Sequence, residues 1–249
     1  MAKPIQISGE NDFEKLLKRL SDDIVKAPAF LRIDKRLVEC FENYDDEVCQ
    51  AEFFWAMVSD AVRETGLSRL ARVYDKQKNA LGLPALLVTI KANRHLFADQ
   101  AVTKRVGRMN ASFADSIIPG SHFPDSQVLQ NDLALVSYSD PLVRKLLDWR
   151  DKFGAHISSE QTIKRNIPDT GLPTQDEAFK LCERAFDVFN RYSSLFHAVS
   201  HLTTIIGEEG SVDSVFRHLR RGLTAGRKQS DEDAERFLQE IETTRRKAS

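Results

Sequence analysis

The chain has 249 residues, 41% of them hydrophobic and 29% charged, and its formal net charge is −1 at pH 7. This composition excludes a wholly disordered chain and a global basic field, so any contact with nucleic acid must use a local patch. Three cysteines without C-x-x-C spacing, Cys40, Cys49 and Cys182, argue against a zinc site and a disulfide framework. With no signal-peptide core and no membrane-spanning window, we expect a cytoplasmic protein with no membrane partner.

Apolar residues at helical spacing mark the first half of the chain. From residue 48 to residue 74 they recur at steps of three and four, and Gly66 is a candidate position for a break or a kink in that helix. A further helix is predicted over 81-LGLPALLVTIKANRHLF-97, where Pro84 suits the first helical turn. No strong strand pattern appears, since 5-IQISG-9 is too short to predict one.

The second half continues in the same way. A helix is predicted from about residue 133 to residue 153, with Pro141 as the point where it kinks or restarts. A loop follows over residues 157–173, punctuated by proline and glycine. Thr174 and Glu177 then have the spacing of a capping box, which predicts the start of a long helix.

That long helix is predicted to extend to about Ile206, with Gly207 and Gly210 ending it, and its wide apolar face predicts packing on two sides. After the basic stretch 217-RHLRRGLTAGRKQ-229, a separate last helix is predicted over residues 230–249, with Ser230 and Asp233 as its cap.

These elements predict an all-α fold, an antiparallel up-and-down helix bundle with additional peripheral helices. We expect residues 1–206 to form the helical domain. Residues 207–249 are expected to form a basic, helical C-terminal extension.

The stretch 148-DWRDKFGAHIS-158 contains the strongest candidate for chemistry. Arg150 precedes His156 by six residues, which leaves the two side chains about 120° apart on an unbroken helix. Gly154 between them can end or loosen the helix, and a two-fold dimer can face one copy of the stretch against the other.

These residue types suit RNA cleavage. A histidine, with an ordinary pKa of about 6.5, can accept the proton of the ribose 2′-hydroxyl, and an arginine can stabilise the charge of a pentacoordinate phosphate. Asp151 can orient either side chain by hydrogen bonding. The alternative interpretation is structural, with His156 capping a helix end and Arg150 in a surface ion pair.

The segment 150-RDKFGAH-156 resembles the R-x4-6-H motif of the HEPN superfamily, which favours a polar residue directly after the arginine. The chain looks most like the branch related to abortive-infection protein U. In that branch an arginine–tyrosine–aspartate-like stretch, here 72-RVYD-75, lies upstream of a leucine-rich helix, here 81-LGLPALLVTI-90. The resemblance covers roughly residues 35 to 205 and includes the pairs 149-WR-150 and 155-AH-156.

The resemblance implies a helical bundle that dimerises, with the motif from each subunit lining a shared cleft. It also implies a metal-independent endoribonuclease that acts on RNA, often as a toxin or phage-defence effector. A partner such as an antitoxin or regulatory protein is then possible. The implied roles fall on Arg150 and His156, with Asp151 as the supporting polar residue.

Other candidate sites have simpler interpretations. His197 and His201 have the H-x3-H spacing of metal ligands, but no third ligand is evident, and a solvated or partner-facing stripe is preferred. Two basic clusters can hold an RNA backbone or can be solvated faces. They are Arg217, His218, Arg220, Arg221, Arg227 and Lys228 near the C-terminus, and Lys104, Arg105 and Arg108 upstream. We expect no cofactor and no metal.

Two functional hypotheses follow. The first is a metal-independent endoribonuclease, a toxin or phage-defence effector, with a composite active site at a homodimer interface. In it His156 acts as general base or acid, Arg150 stabilises phosphate charge and Asp151 orients them. The second is a catalytically inactive helical module that binds a protein or nucleotide partner, with His156 as a buried packing residue.

Overall fold

The computed structural model describes residues 2–109, 122–151, 171–202 and 208–248, and within these ranges the chain is all-α, which confirms the predicted fold class. The helices are α1 Glu10–Asn43, α2 Asp45–Cys49, α3 Glu52–Val73, α4 Leu83–Ala92, α5 Asp99–Met109, α6 Ser126–Leu135, α7 Pro141–Trp149, α8 Gln175–His197 and α9 Glu208–Ala248. A short 3-10 helix, Arg94–Phe97, lies between α4 and α5. None of these helices is long and apolar enough to cross a membrane.

The chain divides into two compact units. The first contains residues 1–32 and 61–206, and the second contains residues 33–60 and 207–249. Helices α1 and α3 therefore contribute residues to both units. The second unit groups the C-terminal segment with a segment from the first half of the chain, and the division into a domain 1–206 and an extension 207–249 stays a prediction.

Helix α8 contributes buried residues to the core of the first unit along its length, which accounts for its wide apolar face. Side chains of α1, α3, α4, α6 and α7 join it in one apolar cluster. At one end of α8, Phe196 packs edge-on against Phe13 and Phe97, with ring centroids 4.7 and 5.6 Å away. Burial of each such side chain contributes about 1.5–3 kcal/mol to folding.

Three local features predicted from the sequence are present. Pro84 lies in the first turn of α4. Pro141 starts a new helix, because the Asp140 side chain accepts hydrogen bonds from two amides of the first turn of α7. Thr174 and Glu177 form the complete capping box of α8. Each of these signals is local, so the sequence was sufficient to predict it.

Two predicted helix boundaries are wrong. Helix α3 continues through Gly66, where an added Cβ would lie 3.0 Å from the Leu31 side chain, so this glycine serves a close helix–helix approach. Helix α8 ends at His197 and not near Ile206, because Ala198 adopts a left-handed backbone with φ 57°.

The C-terminal segment is one continuous helix. The prediction that a separate helix starts at Ser230 is wrong, because α9 already begins at Glu208. No proline interrupts the hydrogen-bond ladder in this segment, and a helix that is already nucleated tolerates a serine in its interior. Within the second unit, Phe216 of α9 is fully buried, with its ring centroid 4.8 Å from that of Trp55.

A buried carboxylate ties the end of α3 to α1. Asp23 is 4% exposed and accepts hydrogen bonds from Arg72 Nε at 3.0 Å, from Arg72 Nη2 at 2.8 Å and from Arg69 Nη1 at 2.8 Å. Burial alone would raise the pKa of Asp23, but the hydrogen bond and charge of Arg72, with the charges of Arg19 and Arg69, lower it. This network fixes the turn that follows α3.

We expect Asp23→Asn to lower the free energy of unfolding at neutral pH by about 1–3 kcal/mol, because two arginines lose their shared buried acceptor. Since the folded-state pKa of Asp23 is lowered, its contribution is fully present above the unfolded pKa of about 3.9 and is lost as the pH falls through the folded pKa. Urea unfolding at several pH values should therefore show the difference from wild type shrinking in acid.

The matched control is Asp22→Asn, at the half-exposed neighbour on the same helix, whose carboxylate pairs with Lys26 at 2.6 Å and with Arg69 at 3.3 Å. This change should cost less than about 1 kcal/mol, because exposed ion pairs contribute little. A difference between wild type and Asp23→Asn that is independent of pH would contradict the assigned role of Asp23.

Candidate functional site

Helix α7 positions Arg150 at the edge of the core of the first unit. Its buried side chains are Val143, Leu146, Leu147 and Trp149. Helical backbone continues through Arg150 and Asp151, and the amide of Arg150 donates to two carbonyls of the preceding turn. A cation at this end of a helix is favoured by the helix dipole.

Arg150 is held by two carboxylates. Its Nη1 lies 2.9 Å from Oδ2 of Asp75, and its Nε and Nη2 donate to Oδ1 of Asp151 at 2.9 and 2.7 Å. The side chains of Arg150 and Asp75 are 13% and 14% exposed, whereas that of Asp151 is 53% exposed. The guanidinium therefore has a shielded ion pair on one side and a solvent-accessible one on the other.

The two carboxylates stabilise the positive charge of Arg150. Burial alone would lower the pKa of Arg150, but its hydrogen bond to Asp151 and the charge of Asp75 raise the pKa above its ordinary value. A phosphate that approaches the guanidinium must displace one of them. Asp151 is the one that can leave, because water solvates it once released, whereas Asp75 would become a largely shielded charge without its arginine.

The turn after α3 holds Asp75 in place. Its Oδ1 accepts a hydrogen bond from the amide of Gln77 at 2.9 Å, which leaves Oδ2 for Arg150. One residue earlier, Tyr74 is fully buried, and its hydroxyl donates to the carbonyl of Leu181 in α8 at 2.7 Å. Burial raises the pKa of Tyr74, so the hydroxyl remains a donor. Tyr74 thus anchors the turn, and Asp75 holds the arginine.

Gly82 lets this turn pack against the start of α4. A Cβ at this position would lie 2.8 Å from the carbonyl oxygen of Asp75, 3.0 Å from that of Val73 and 3.1 Å from that of Arg72. The backbone of Gly82 is extended, with φ −136°, so close approach and not backbone strain requires the glycine. The glycine therefore supports the position of Asp75.

A cleft of about 250 Å³ borders Asp75 and is lined in part by Arg19, Asp23 and Arg72. Its charged side chains are already paired: Arg72 and Arg19 with Asp23, and Asp75 with Arg150. A ligand would have to compete with these buried ion pairs, so the cleft is better explained as part of the framework that holds Asp75.

The structure also places three residues near Arg150 for which the sequence indicated no role: Lys76, Tyr138 and Asp148. The ammonium of Lys76 lies 3.0 Å from the ring centroid of Tyr138, and the Tyr138 hydroxyl donates to Asp148 at 2.6 Å. The hydrogen bond to Asp148, and to a smaller extent the charge of Asp151, raise the pKa of Tyr138. The sequence signals were weak: Lys76 follows Asp75, and Asp148 precedes Arg150 by two residues.

The structure describes some of the predicted site residues and not others. The structure brings Arg150 and Asp151 into direct hydrogen-bonded contact. His156 and Gly154 lie outside the described residues, so the approach of His156 to Arg150 stays a prediction. Asp75, quoted above only as part of 72-RVYD-75, is the residue that the structure adds to the site.

The histidine pair of α8 does not share a helical face. Helix α8 ends at His197, and His201 follows in irregular chain, where its amide and carbonyl pair with the Asn190 side chain at 2.8 and 3.1 Å. Burial lowers the pKa of both imidazoles. The predicted one-turn stripe is therefore wrong. In the part of the chain that the structure describes, no group of three or more His, Cys, Asp or Glu side chains is placed to hold a metal ion.

Several members of the two basic clusters are engaged within the chain. Arg105 is 3% exposed and donates to the carbonyls of Phe196 and Leu96, so the interpretation of this residue as part of a solvated face is wrong. In the second unit, Arg220 donates to Glu47 at 2.7 Å and Arg227 donates to Asp46 at 2.9 Å. These pairs leave fewer free cations for an RNA backbone than the sequence suggests.

Comparisons with known proteins add one positive finding. The model of the HEPN-type AbiU2 family matches residues 10–210, which include Asp75, Arg150 and Asp151. No curated protein and no solved structure matches the chain. The match covers most of the chain and ends just after the start of α9.

We expect Gly82→Ala to lower the free energy of unfolding by about 1–3 kcal/mol, because the new methyl group overlaps three carbonyl oxygens of the turn that holds Asp75. Gly210→Ala is the control, since a Cβ there meets no atom within 4 Å. The control should be neutral or stabilising by up to about 1 kcal/mol. Urea unfolding measures both changes, and equal effects would contradict the close approach at Gly82.

Proposed function

The chain belongs to the AbiU2 family of HEPN proteins, and on this premise we propose that it is a metal-independent endoribonuclease that serves as a toxin or phage-defence effector. The observation that supports the proposal best is the asymmetric pairing of Arg150, with the shielded Asp75 behind it and the exposed Asp151 in front. A charged guanidinium that is fixed on one side and holds a solvent-exposed carboxylate on the other is suited to take the non-bridging oxygens of a phosphodiester in place of that carboxylate.

The proposed reaction uses the ribose 2′-hydroxyl as the nucleophile. This hydroxyl loses its proton to a general base and attacks the adjacent phosphorus, while the bond from phosphorus to the 5′-oxygen breaks and that oxygen takes a proton. The products are a 2′,3′-cyclic phosphate and a 5′-hydroxyl. Because the nucleophile is part of the substrate, the reaction needs no metal-activated water.

In this proposal His156 is the general base or acid, and Arg150 stabilises the extra negative charge of the pentacoordinate phosphate. Asp151 occupies the phosphate position before RNA binds. Once a phosphate oxygen has replaced it on the guanidinium, its carboxylate is free to orient the imidazole of His156. Asp75 stays paired throughout and keeps the arginine in one orientation.

We place the active site at a homodimer interface. Cleavage needs one group that accepts the proton of the 2′-hydroxyl and another that protonates the 5′-oxygen. A two-fold axis that brings two copies of 150-RDKFGAH-156 together supplies one His156 for each task. The proposed partners are therefore RNA, a second copy of the chain and a protein that restrains the toxin.

A catalytically inactive binding module is the second candidate. The observation in its favour is that Nε, Nη1 and Nη2 of Arg150 all have carboxylate partners, as in a purely structural ion pair. In that case His156→Ala would lower stability by about 1–3 kcal/mol and change no cleavage activity.

RNA cleavage in the presence of EDTA tests the proposal. His156→Ala should abolish cleavage without unfolding the chain. Arg150→Lys should reduce cleavage by about 10²–10³-fold, because an ammonium keeps the charge near Asp75 but loses the planar fork. The lysine variant is preferred to alanine, which would leave the shielded carboxylate of Asp75 without a cation. Arg144→Lys, at an exposed arginine of the same helix, is the control and should keep full activity.

The chemical ends of the products give a second readout of the same experiment. Wild type should leave 2′,3′-cyclic phosphates and 5′-hydroxyls, with the same rate with and without EDTA. The proposed mechanism would be contradicted if a folded His156→Ala variant kept full activity, or if EDTA abolished cleavage by the wild type.

A further inference from the structure

Charge is segregated along α9. The block 217-RHLRRGLTAGRK-228 contains arginine and lysine and no acidic residue, whereas the block 231-DEDAERFLQEIE-242 is rich in aspartate and glutamate and has Arg236 as its one basic residue. The two blocks have equal length and lie symmetrically about the junction of Gln229 and Ser230. Nearly all of this helix lies beyond residue 210, where the match to the family ends.

An exposed apolar stripe follows the same helix. It consists of two pairs at steps of four, which lie on one face because five helical turns separate them: Val215 is 48% and Leu219 38% exposed, and Phe237 is 63% and Ile241 37% exposed. By contrast, Phe216 is fully buried in the core of the second unit. A stripe of exposed apolar residues at helical spacing on a helix this long indicates a face that another helix covers.

The two halves of the stripe have complementary shapes. The basic half has a nearly flat, mostly apolar surface that includes Val215, Leu219 and Gly222. A Cβ on Gly222 or on Gly226 would meet no atom within 4 Å, so the surface at both glycines is open. The acidic half instead presents the phenyl ring of Phe237, which is the most exposed large apolar side chain of this helix.

We propose that α9 pairs with α9 of a second copy of this chain in antiparallel orientation. A two-fold axis at the junction of Gln229 and Ser230 puts the basic block of each copy beside the acidic block of the other. The same axis puts Gly222 opposite Phe237 of the second copy, and Leu219 within one residue of the level of Ile241. Charge, shape and apolar contact therefore favour one register.

The opposite orientation is disfavoured by the same residues. A parallel pair of α9 helices would put basic block against basic block and acidic block against acidic block, and like charges at close range are destabilising. It would also put Phe237 against its own copy and Gly222 against its own copy, so the ring would not enter the open surface. Antiparallel pairing removes both conflicts and gives a closed dimer.

Sedimentation of the full chain without RNA tests the pairing independently of any ribonuclease activity. At concentrations near the dissociation constant of the dimer, Phe237→Asp should lower the average mass, because it puts a charge into the apolar seam, whether or not the contact proposed at 150-RDKFGAH-156 also holds the two copies together. The control is Phe53→Asp, the same change at a phenylalanine that is 80% exposed on α3, and it should leave the mass unchanged. An unchanged mass for Phe237→Asp, or equal loss in both variants, would overturn the proposal.

Cysteine cross-linking tests the orientation. Cys49 is exposed, whereas Cys40 and Cys182 are buried, so the variants are made in a Cys49→Ser background. With an added oxidant, copies with Gly222→Cys mixed with copies with Phe237→Cys should form a disulfide-linked dimer, and Gly222→Cys copies alone should not. Linkage of Gly222→Cys copies to one another, or no linkage in either sample, would overturn antiparallel pairing.

RNA is the other occupant that the basic block could take. In that case Phe237→Asp would leave the mass unchanged, and charge reversal of the basic block would weaken the binding of a single-stranded RNA probe. That combined result would overturn the proposal and assign α9 to RNA. Loss of the α9 pairing and loss of RNA cleavage are thus distinguishable, because sedimentation measures the first and the amount of cleaved RNA measures the second.

Discussion

The ion pair between Arg150 and Asp75, at 2.9 Å, joins the end of α7 to the turn after α3, and the rest of the candidate site depends on it. That turn is fixed from three sides. Tyr74 donates to α8, Arg72 pairs with the buried Asp23 of α1, and Gly82 lets the start of α4 approach the carbonyl oxygens of the turn. Each contact alone contributes only a few kcal/mol, but together they leave the Asp75 carboxylate one position from which to hold the arginine.

The pairing of Arg150 also explains why a structural and a catalytic interpretation of the same residue need not exclude one another. Asp75 is largely shielded from solvent and is held by the turn after α3, so that half of the contact is structural. Asp151 is exposed and adjacent in sequence, so that half is exchangeable. An arginine held in this way is preorganised for an anion without being blocked by its own partner, and preorganised charge is the main means by which proteins stabilise phosphoryl transition states.

Much of the local structure could be predicted from the sequence, because caps and helical periodicity are short-range signals. Pro141 and the capping box of Thr174 and Glu177 belong to this class. The continuation of α3 through Gly66 and the end of α8 at His197 could not be predicted, since close packing against Leu31 explains the glycine and the left-handed backbone of Ala198 ends α8. The same distinction applies to the site. Arg150 and Asp151 are neighbours in the sequence, so their contact could be predicted. Asp75 and Arg150 are far apart in the sequence, and no sequence pattern indicates that they form an ion pair.

The most direct test is the binding of an RNA oligonucleotide that has a 2′-deoxyribose at the cleavage position, so that affinity is measured without reaction. The comparison is between wild type, Asp151→Asn and Asp75→Asn, with folding of each verified by circular dichroism. We predict that Asp151→Asn binds as tightly as wild type or more tightly, because a competitor for Arg150 is weakened. Asp75→Asn should bind at least about tenfold more weakly, because the arginine loses its orientation. Weaker binding by Asp151→Asn together with unchanged binding by Asp75→Asn would contradict the account.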